Sequence, residues 1–370
     1  MPLRRLLCCL AFALAACAHE DPFEPPATGS DRPFLPGTPA RLTYNAGADL
    51  HPAWTPDGSS FLYAWQHYRL TDVDRCLSRL SAAGGSGTLA ICNPDPAAVD
   101  SADFFDYPSL NESDQLLFVR SSGLPGAPAP NRSGVYLGEL DDPLSARLLI
   151  TLPSPLPGGG GTQATISTAR WLSRTRVMYV AQSVIYSRET NNAPLDTLVT
   201  GLAVVEMDLS GPTPVLVQVP GTGGATSLAL NESRDAIYFT LLNDTRVLRL
   251  SIASGQLTVA HDFGARGIAR DVTVLGNRLV AVVGGEVEYQ DHPILGPLQL
   301  DGGGTLVSVD LTTGAESDLP WDQFRLFRHP EFVQAGDTVR LVVEGYPSRE
   351  NDSRNAVVSK VGDLFLYVSP

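Results

Sequence analysis

The stretch that decides the fold runs from Leu42 to Tyr63 and reads LTYNAGADLHPAWTPDGSSFLY. Its centre predicts two strands joined by a tight turn. Residues 55–58, Thr-Pro-Asp-Gly, place proline at the second turn position, where its fixed φ fits, and glycine at the fourth. The run from Phe61 to Tyr63 is short, apolar and rich in aromatic side chains, as is typical of strands. Weaker copies of this hairpin elsewhere in the chain would indicate a repeat protein built from β-sheets.

Five such copies follow, at residues 107–119, 169–180, 227–239, 272–281 and 329–341. The tetrapeptide Leu-Asn-Glu-Ser occurs at 110–113 and at 230–233, and His51, Tyr107 and His329 each precede a proline in the same register. A second strand pair follows each copy, and the irregular spacing fits blades of about 40–50 residues with variable loops. Six units of four strands predict an all-β fold, namely a six-bladed β-propeller of four-stranded antiparallel blades.

The two ends of this propeller are expected to close on each other. The apolar run Asp363–Val368 is predicted to be an inner strand of the last blade, and residues 41–44 are predicted to be the outer strand of the same blade. Such closure removes the free sheet edges that would otherwise invite aggregation.

Composition supports a β-rich fold and excludes some partners. The 370 residues include 34 glycines and 29 prolines, which favours many short strands and turns over helices. The formal net charge of −14 argues against nucleic acid or anionic lipid headgroups as partners, because both require basic patches.

The spelling of the first unit resembles the repeat of TolB-like propellers, which are relatives of the WD-repeat family. The residues that carry the resemblance follow Leu42 and Thr43 and are Asp49, Pro52, Trp54, Pro56, Asp57 and Gly58. The resemblance covers roughly residues 40–370. It implies a propeller that binds partner peptides and envelope lipoproteins without catalysing a reaction.

The N-terminal segment is predicted to be a targeting signal. Arg4 and Arg5 precede an unbroken apolar run that is too short to span a bilayer. The run ends in Leu-Ala-Ala-Cys at residues 14–17, which resembles a bacterial lipobox and implies that Cys17 carries a lipid anchor. An ordinary secretory signal with cleavage after a small residue is the alternative.

These features predict three segments. Residues 1–16 form a lipoprotein signal peptide, residues 17–40 a proline-rich acidic tether, and residues 41–370 the propeller domain. Such a tether cannot pack and favours an extended chain of about 3.1 Å per residue. The predicted location is the bacterial cell envelope, at the outer membrane, facing the periplasm or the cell surface.

Two cysteines of the predicted propeller domain, Cys76 and Cys92, are expected to form a disulfide. A hairpin centred on Gly84 places them opposite each other, and a secreted chain folds in an oxidising compartment. A two-cysteine metal site is the alternative, but no histidine or cysteine pair lies near them in the sequence.

Histidines and acids give two candidate ligand or cation sites. His51 and His329 occupy matching positions in the first and sixth units, where symmetric packing is the alternative to a binding role. The loop after the fifth-unit strands gathers three acids and a histidine, which are Glu286, Glu288, Asp291 and His292. Carboxylate oxygens can bind a cation, although the loop lacks the ligand spacing of known calcium motifs and an ordinary solvated loop is the alternative.

Function is predicted from these features together. The chain lacks the nucleophile-elbow, zinc-protease, phosphate-loop and dinucleotide-binding motifs, so no catalytic residue, metal or cofactor is assigned. We expect a monomeric, lipid-anchored, non-enzymatic scaffold that binds an envelope protein or a small ligand. The alternative is a propeller-type hydrolase or lyase with a metal site at the channel mouth.

Overall fold

The computed structural model describes residues 37, 39–43, 48–66, 75–85, 87–92, 102–123, 132–152, 161–187, 196–284, 287–292, 296–301, 304–319, 325–347 and 363–369. In chain order the strands are β1 (Ala40–Arg41), β2 (Ala48–Trp54), β3 (Ser60–Gln66), β4 (Arg75–Ser81), β5 (Thr88–Ile91), β6 (Ala102–Leu110), β7 (Gln115–Gly123), β8 (Arg132–Glu139), β9 (Asp142–Leu152), β10 (Gly161–Ser173), β11 (Arg176–Ser187), β12 (Asp196–Asp208), β13 (Val215–Gln218), β14 (Ala225–Leu230), β15 (Ala236–Leu241), β16 (Arg246–Ser251), β17 (Leu257–Asp262), β18 (Ala269–Leu275), β19 (Arg278–Val283), β20 (Val287–His292), β21 (Gly296–Asp301), β22 (Thr305–Asp310), β23 (Glu316–Asp318), β24 (Arg325–Ala335), β25 (Thr338–Pro347) and β26 (Asp363–Val368). A short 3-10 turn spans Gly264–Arg266.

In the ranges given above, no helix is long and apolar enough to cross a membrane. The predicted all-β class is confirmed.

Four separate sheets each contain four antiparallel strands. Three of them follow the chain, in the orders β10-β11-β12-β13, β14-β15-β16-β17 and β18-β19-β22-β23. The hairpin β20-β21 is inserted into the third of these sheets and pairs with itself. The prediction of four-stranded antiparallel blades is therefore confirmed.

The prediction of six separate blades is wrong, because the strand pairing gives four separate four-stranded sheets. The strands β2 to β9 form one eight-stranded sheet, because β4 also pairs with β6 in parallel, at Arg75 and Phe104. This parallel pairing joins two antiparallel meanders, β2-β3-β4-β5 and β6-β7-β8-β9. The repeats carried no signal for it, since it depends on where the chain between the two meanders brings the strand ends together.

The fourth separate sheet combines the two ends of the chain, in the order β1-β26-β25-β24. Ala40 and Arg41 of β1 pair with Leu366 and Phe365 of β26. The predicted closure and the outer position of the N-terminal strand are confirmed. Asp363–Val368 is the third strand of the sheet and not the innermost one, because β24 and β25 precede it.

The core consists of six clusters of buried apolar side chains in the described part of the chain, each between two successive four-strand units. One cluster packs Trp54 and Phe61 of the first unit against Val342 and Leu364 of the last. Packing these apolar faces together stabilises the fold, because each Å² of apolar surface removed from water contributes about 25 cal/mol of favourable free energy. The first strands of the units, β2, β6, β10, β14, β18 and β24, contact one another in a closed ring.

The stretch that opens the first unit forms the predicted hairpin. The amide of Gly58 donates to the Thr55 carbonyl at 2.8 Å, which closes the turn. The Thr55 hydroxyl and the Ser59 amide donate to the Asp57 carboxylate, and these hydrogen bonds lower the pKa of Asp57 to about 2. Gly58 has a φ of 65°, and a Cβ at this position would lie 2.9 Å from Ala335, so both the backbone and the neighbouring unit require glycine.

Trp54 and Trp171 join successive units in the same way. Each is 5% exposed, and the indole N–H of Trp54 donates to the Glu331 carbonyl at 2.9 Å. The indole N–H of Trp171 donates to the Ser109 carbonyl at 3.3 Å. Each acceptor lies on the first strand of the preceding unit, so the tryptophan is a core residue that also sets the contact between units.

The predicted disulfide between Cys76 and Cys92 is present, with a Cα–Cα distance of 4.5 Å. It joins β4 to the residue that follows β5, and Cys76 is buried in the cluster that also holds Trp54. The bond closes a loop of sequence separation 16 and restricts the unfolded chain.

Reduction of this disulfide is expected to lower the free energy of unfolding by about 3 kcal/mol, because the unfolded chain regains the entropy of the open loop. Urea unfolding of the protein with and without reductant measures the change. The double variant Cys76→Ser/Cys92→Ser is the control, and its stability should not respond to reductant. Equal stability of the oxidised and reduced wild-type protein would contradict the expectation.

Candidate functional site

Each strand of the central ring contains an irregularity at the same place. The pairing of the first strand with the second shifts register between Leu50 and Ala53, Asp106 and Ser109, Ser167 and Arg170, Ala225 and Ser227, Ala269 and Val272, and Arg328 and Glu331. Such β-bulges redirect side chains and are common beside functional sites.

Four of the bulges hold a residue other than glycine in the left-handed region. The φ values are 52° for His51, 49° for Tyr107, 49° for Thr168 and 45° for His329. This conformation is costly for side chains of this size, and a strained backbone tends to concentrate where function requires a particular side-chain direction. The matched register of His51, Tyr107 and His329 in the sequence thus corresponds to a matched backbone conformation.

The bulges enclose a pocket at the centre of the ring, which we call the central pocket. It contains about 400 Å³ of empty space, part of it open to solvent. Every strand of the ring contributes to its lining, and the polar lining residues are His51, Tyr107, Thr168, Arg170, Ser227, Asp271, His329 and Glu331. A concave site with convergent polar groups is the form that ligand-binding sites usually take.

Three rings of the central pocket contact one another. The His51 ring stacks on Tyr107 with 3.8 Å between ring centroids, and the His329 ring meets His51 edge-on at 4.7 Å. The structure therefore brings together the two histidines that the sequence placed 278 positions apart, a juxtaposition that follows from ring closure between the first and last units.

Asp106 anchors the His51 side of the pocket. Its carboxylate accepts hydrogen bonds from His51 Nδ1, from the Arg75 guanidinium and, at 3.1 Å, from the Tyr107 amide. Burial by itself would raise the pKa of Asp106, but the charges of Arg75 and His51 outweigh it and hold this pKa well below its usual range. Burial, with the nearby Asp106 charge, raises the pKa of the Tyr107 phenol, so the phenol stays protonated.

Two further carboxylates hold the histidine backbones. The amide of His329 donates to Asp271 at 3.1 Å, and Nδ1 of the same histidine lies 3.9 Å from the other oxygen of Asp271. The amide of His51 donates to the fully buried carboxylate of Glu344. One ligand atom from each of His51, His329 and Glu344 lies within 4.8 Å of the other two.

On the other side of the pocket, Glu331 faces Arg170. The Arg170 guanidinium lies 3.8 Å from the Glu331 carboxylate. Burial raises the pKa of Glu331, although the charge of Arg170 partly offsets the effect. The pocket region thus combines one carboxylate whose pKa is raised, that of Glu331, with another whose pKa is lowered, that of Asp106.

No contact in the described part of the structure links the remaining predicted site residues to the central pocket. Glu286 and Cys17 lie outside the described residues. Glu288, Asp291 and His292 lie on β20, whose backbone forms a hairpin with β21, but their side chains are outside the described part of the structure.

Sequence reasoning missed Asp106, Asp271 and Glu344. Asp106 had a recoverable signal, since it directly precedes the Tyr-Pro pair that marks the second unit. Glu344 lies on the second strand of its unit, opposite Arg328, where no repeated position marks it. Its role depends on the close approach of the first and last units.

Comparison with known proteins shows the fold but not a family. No protein-family model matches the chain, and no curated protein is detectably similar. Among solved structures, a calcium-binding protein, regucalcin, from Agrobacterium tumefaciens has a TM-score of 0.51 and 15% identity, over 90% of this chain and 92% of that one. A gluconolactonase from Xanthomonas campestris has a TM-score of 0.49 and 11% identity, over 94% of both chains.

TolB from Acinetobacter baumannii is also among these matches. It has a TM-score of 0.47 and 12% identity, over 85% of this chain, and the match spans 66% of the length of TolB. At such identities the likeness concerns the fold alone. The chain is a β-propeller, and the propellers named here include a calcium-binding protein and a gluconolactonase.

Proposed function

We propose that this chain is a lipid-anchored β-propeller of the bacterial envelope that binds a partner or small ligand in the central pocket without catalysing a reaction. The observation that carries the proposal is the convergence of bulges from every strand of the central ring on that pocket. The same strained backbone conformation recurs at His51, Tyr107, Thr168 and His329. Such strain is typical of functional sites, so it supports a binding role for these side chains and not packing alone.

The chemistry of the pocket supports binding. Its charged groups are paired and held by backbone amides, as Asp106 and Asp271 are, so little reorganisation is needed when a ligand enters. The stacked pair of His51 and Tyr107 offers a flat apolar surface, and Thr168 and Ser227 offer hydroxyls. A peptide segment or a small polar molecule with an aromatic or apolar part fits this combination.

Attachment to the membrane is proposed from the sequence. Cys17 in its lipobox context is the lipid site, and the tether at 17–40 would hold the propeller some tens of ångströms from the membrane, at about 3.1 Å per extended residue. The outer membrane is the proposed location, with the propeller as a monomer.

A variant that fills the central pocket tests the binding site. Thr168→Tyr is expected to reduce capture of envelope components by at least about tenfold, because a phenol ring then occupies the pocket. Tyrosine is tolerated in this backbone conformation, since Tyr107 adopts a φ of 49° at the equivalent bulge. Affinity capture from native envelopes with the lipidated chain, quantified by mass spectrometry, is the measurement.

Thr258→Tyr is the matched control for this experiment. Thr258 lies exposed on β17, the outer strand of its sheet, so the same substitution there should leave capture unchanged. Equal capture by wild type and Thr168→Tyr would contradict the central pocket as the binding site. So would a loss in Thr258→Tyr alone.

The second candidate function is a hydrolase or lyase that uses a metal ion in the central pocket. The observation in its favour is the approach of three ligand side chains, His51, His329 and Glu344. This function requires turnover of an ester, lactone or uronide by the wild-type protein and loss of that turnover in His329→Asn. If the metal-loaded protein turns over none of these substrate classes, the enzymatic function is contradicted and only the binding function remains.

A further inference from the structure

We infer that His51, His329 and Glu344 form a binding site for one divalent transition-metal ion of the zinc type. The inference deepens the proposed function, because the site lies in the central pocket and rests on that pocket as the binding centre. The three ligand atoms, one from each side chain, lie within 4.8 Å of one another. Tetrahedral zinc places its ligand atoms about 3.3 Å apart, so the side chains need to move inward by only about an ångström.

The groups behind the two histidines favour this role. His51 Nδ1 is bound to the Asp106 carboxylate, which orients the ring and directs Nε2 away from Asp106. Asp271 faces Nδ1 of His329 at 3.9 Å and accepts the amide of the same residue. A carboxylate on the far nitrogen is the usual partner of a metal-binding histidine, because it fixes the tautomer and raises the basicity of the ligating nitrogen.

Glu344 is held in a comparable way. Its carboxylate is fully buried and accepts the amide of His51, which ties the position of one ligand to that of another. The backbone strain at His51 and His329 has a reason in this arrangement. Both histidines have the left-handed conformation, and their rings lie 4.7 Å apart.

The surrounding charges allow a cation. Two carboxylates line the pocket, those of Asp271 and Glu331, and two more, those of Asp106 and Glu344, contact His51. Three arginines face them: Arg75 pairs with Asp106, Arg170 with Glu331, and Arg328 lies opposite Glu344 in the strand pairing. The carboxylates therefore outnumber the arginines that face them by four to three.

The ligand set indicates which metal would bind. Two imidazole nitrogens and one carboxylate suit zinc and its neighbours in the first transition row, whereas calcium and magnesium need six or more oxygen ligands. Three protein ligands leave a fourth tetrahedral position for water or for a donor group of the bound partner. Thr168 and Tyr107 line the same pocket.

Titration of the full chain with zinc tests the inference. After treatment with a chelator, the protein in detergent is expected to bind one zinc ion per chain by calorimetry, with at least about tenfold preference over calcium. His329→Asn is expected to weaken zinc binding about 100-fold or more, since it removes a direct ligand. Asparagine is chosen because it tolerates the left-handed backbone of this position.

His261→Ala is the matched control. His261 also pairs with a carboxylate, Glu316 at 2.7 Å, but both lie on outer strands away from the pocket. The variant should bind zinc as the wild type does. Cobalt in place of zinc gives a second readout, since tetrahedral nitrogen and oxygen coordination produces intense visible bands that His51→Asn should abolish.

Three results would overturn the inference: no stoichiometric zinc binding, equal binding by wild type and His329→Asn, or loss of binding in His261→Ala. Melting curves of the metal-free variants separate loss of a ligand from loss of the fold. The capture experiment with Thr168→Tyr keeps the two proposals apart. If capture depends on the pocket but the protein binds no zinc, the metal-site inference is wrong and the proposed binding function still holds.

Discussion

Replacement of Asp106 by alanine is expected to lower the free energy of unfolding by about 3–5 kcal/mol. The side chain is 12% exposed, and its removal takes away the carboxylate that the part-buried Arg75 guanidinium and His51 ring both contact. Breaking a buried ion pair by deleting one partner has this large effect because the remaining charge keeps the cost of leaving water. Urea unfolding followed by tryptophan fluorescence measures the change.

Glu112→Ala is the matched control for Asp106. Glu112 also pairs with an arginine, Arg234 at 2.6 Å, but its side chain is 63% exposed. Exposed pairs are screened by water and contribute about 0–1 kcal/mol, so this variant should unfold almost as the wild type does. Similar costs for the two variants would contradict the view that a buried charge cluster organises the central pocket.

The second large effect is expected for Trp54→Ala, at about 3–5 kcal/mol. Trp54 is 5% exposed in the cluster that closes the ring between the first and last units. Its removal leaves a cavity at this junction and frees the Glu331 carbonyl from its hydrogen bond. Urea unfolding is again the measurement.

Trp54→Phe separates the two contributions at this site. Phenylalanine keeps most of the apolar volume but cannot donate to Glu331, so the cost should be about 1–3 kcal/mol for the unpaired carbonyl. Trp171→Phe should behave alike, since its indole makes the equivalent bond to Ser109. Equal costs for the alanine and phenylalanine variants would contradict the packing contribution. A phenylalanine variant as stable as the wild type would contradict the contribution of the hydrogen bond.

Much of the fold could be predicted from the sequence because several local sequence signals indicate the same secondary structure. The turn at 55–58, the apolar runs beside it and the repeated X-Pro register each favour short strands joined by tight turns, and the structure confirms these elements. Closure of the ring through Arg41 and the disulfide at Cys76 were also predictable, because both follow from pairing rules within a sheet.

The number of separate sheets was not predictable in the same way. The pairing of Arg75 with Phe104 is a single backbone contact between units, and no side-chain pattern encodes it. The sequence predicted Asp363–Val368 only as an inner strand, and the structure gives it the third position of four. A strand with apolar side chains on both faces has the same pattern in every interior position of a blade.

The site was predictable only in part. Symmetry between units singled out His51 and His329, and the structure places their rings 4.7 Å apart. The acids that hold them, Asp106, Asp271 and Glu344, come from three different units and meet only through the closed ring. Periodicity describes what repeats, whereas a binding site consists of the positions where the units differ.

Site-specific photo-crosslinking in living cells tests most directly whether the central pocket is the binding site. A photoreactive phenylalanine replaces Tyr107, whose aromatic ring already lines the pocket, or the exposed Thr258 as control. We predict an adduct with an envelope component or small ligand from position 107 and none from position 258. An adduct from position 258 with none from position 107 would place binding on the outer strands and contradict the proposed function.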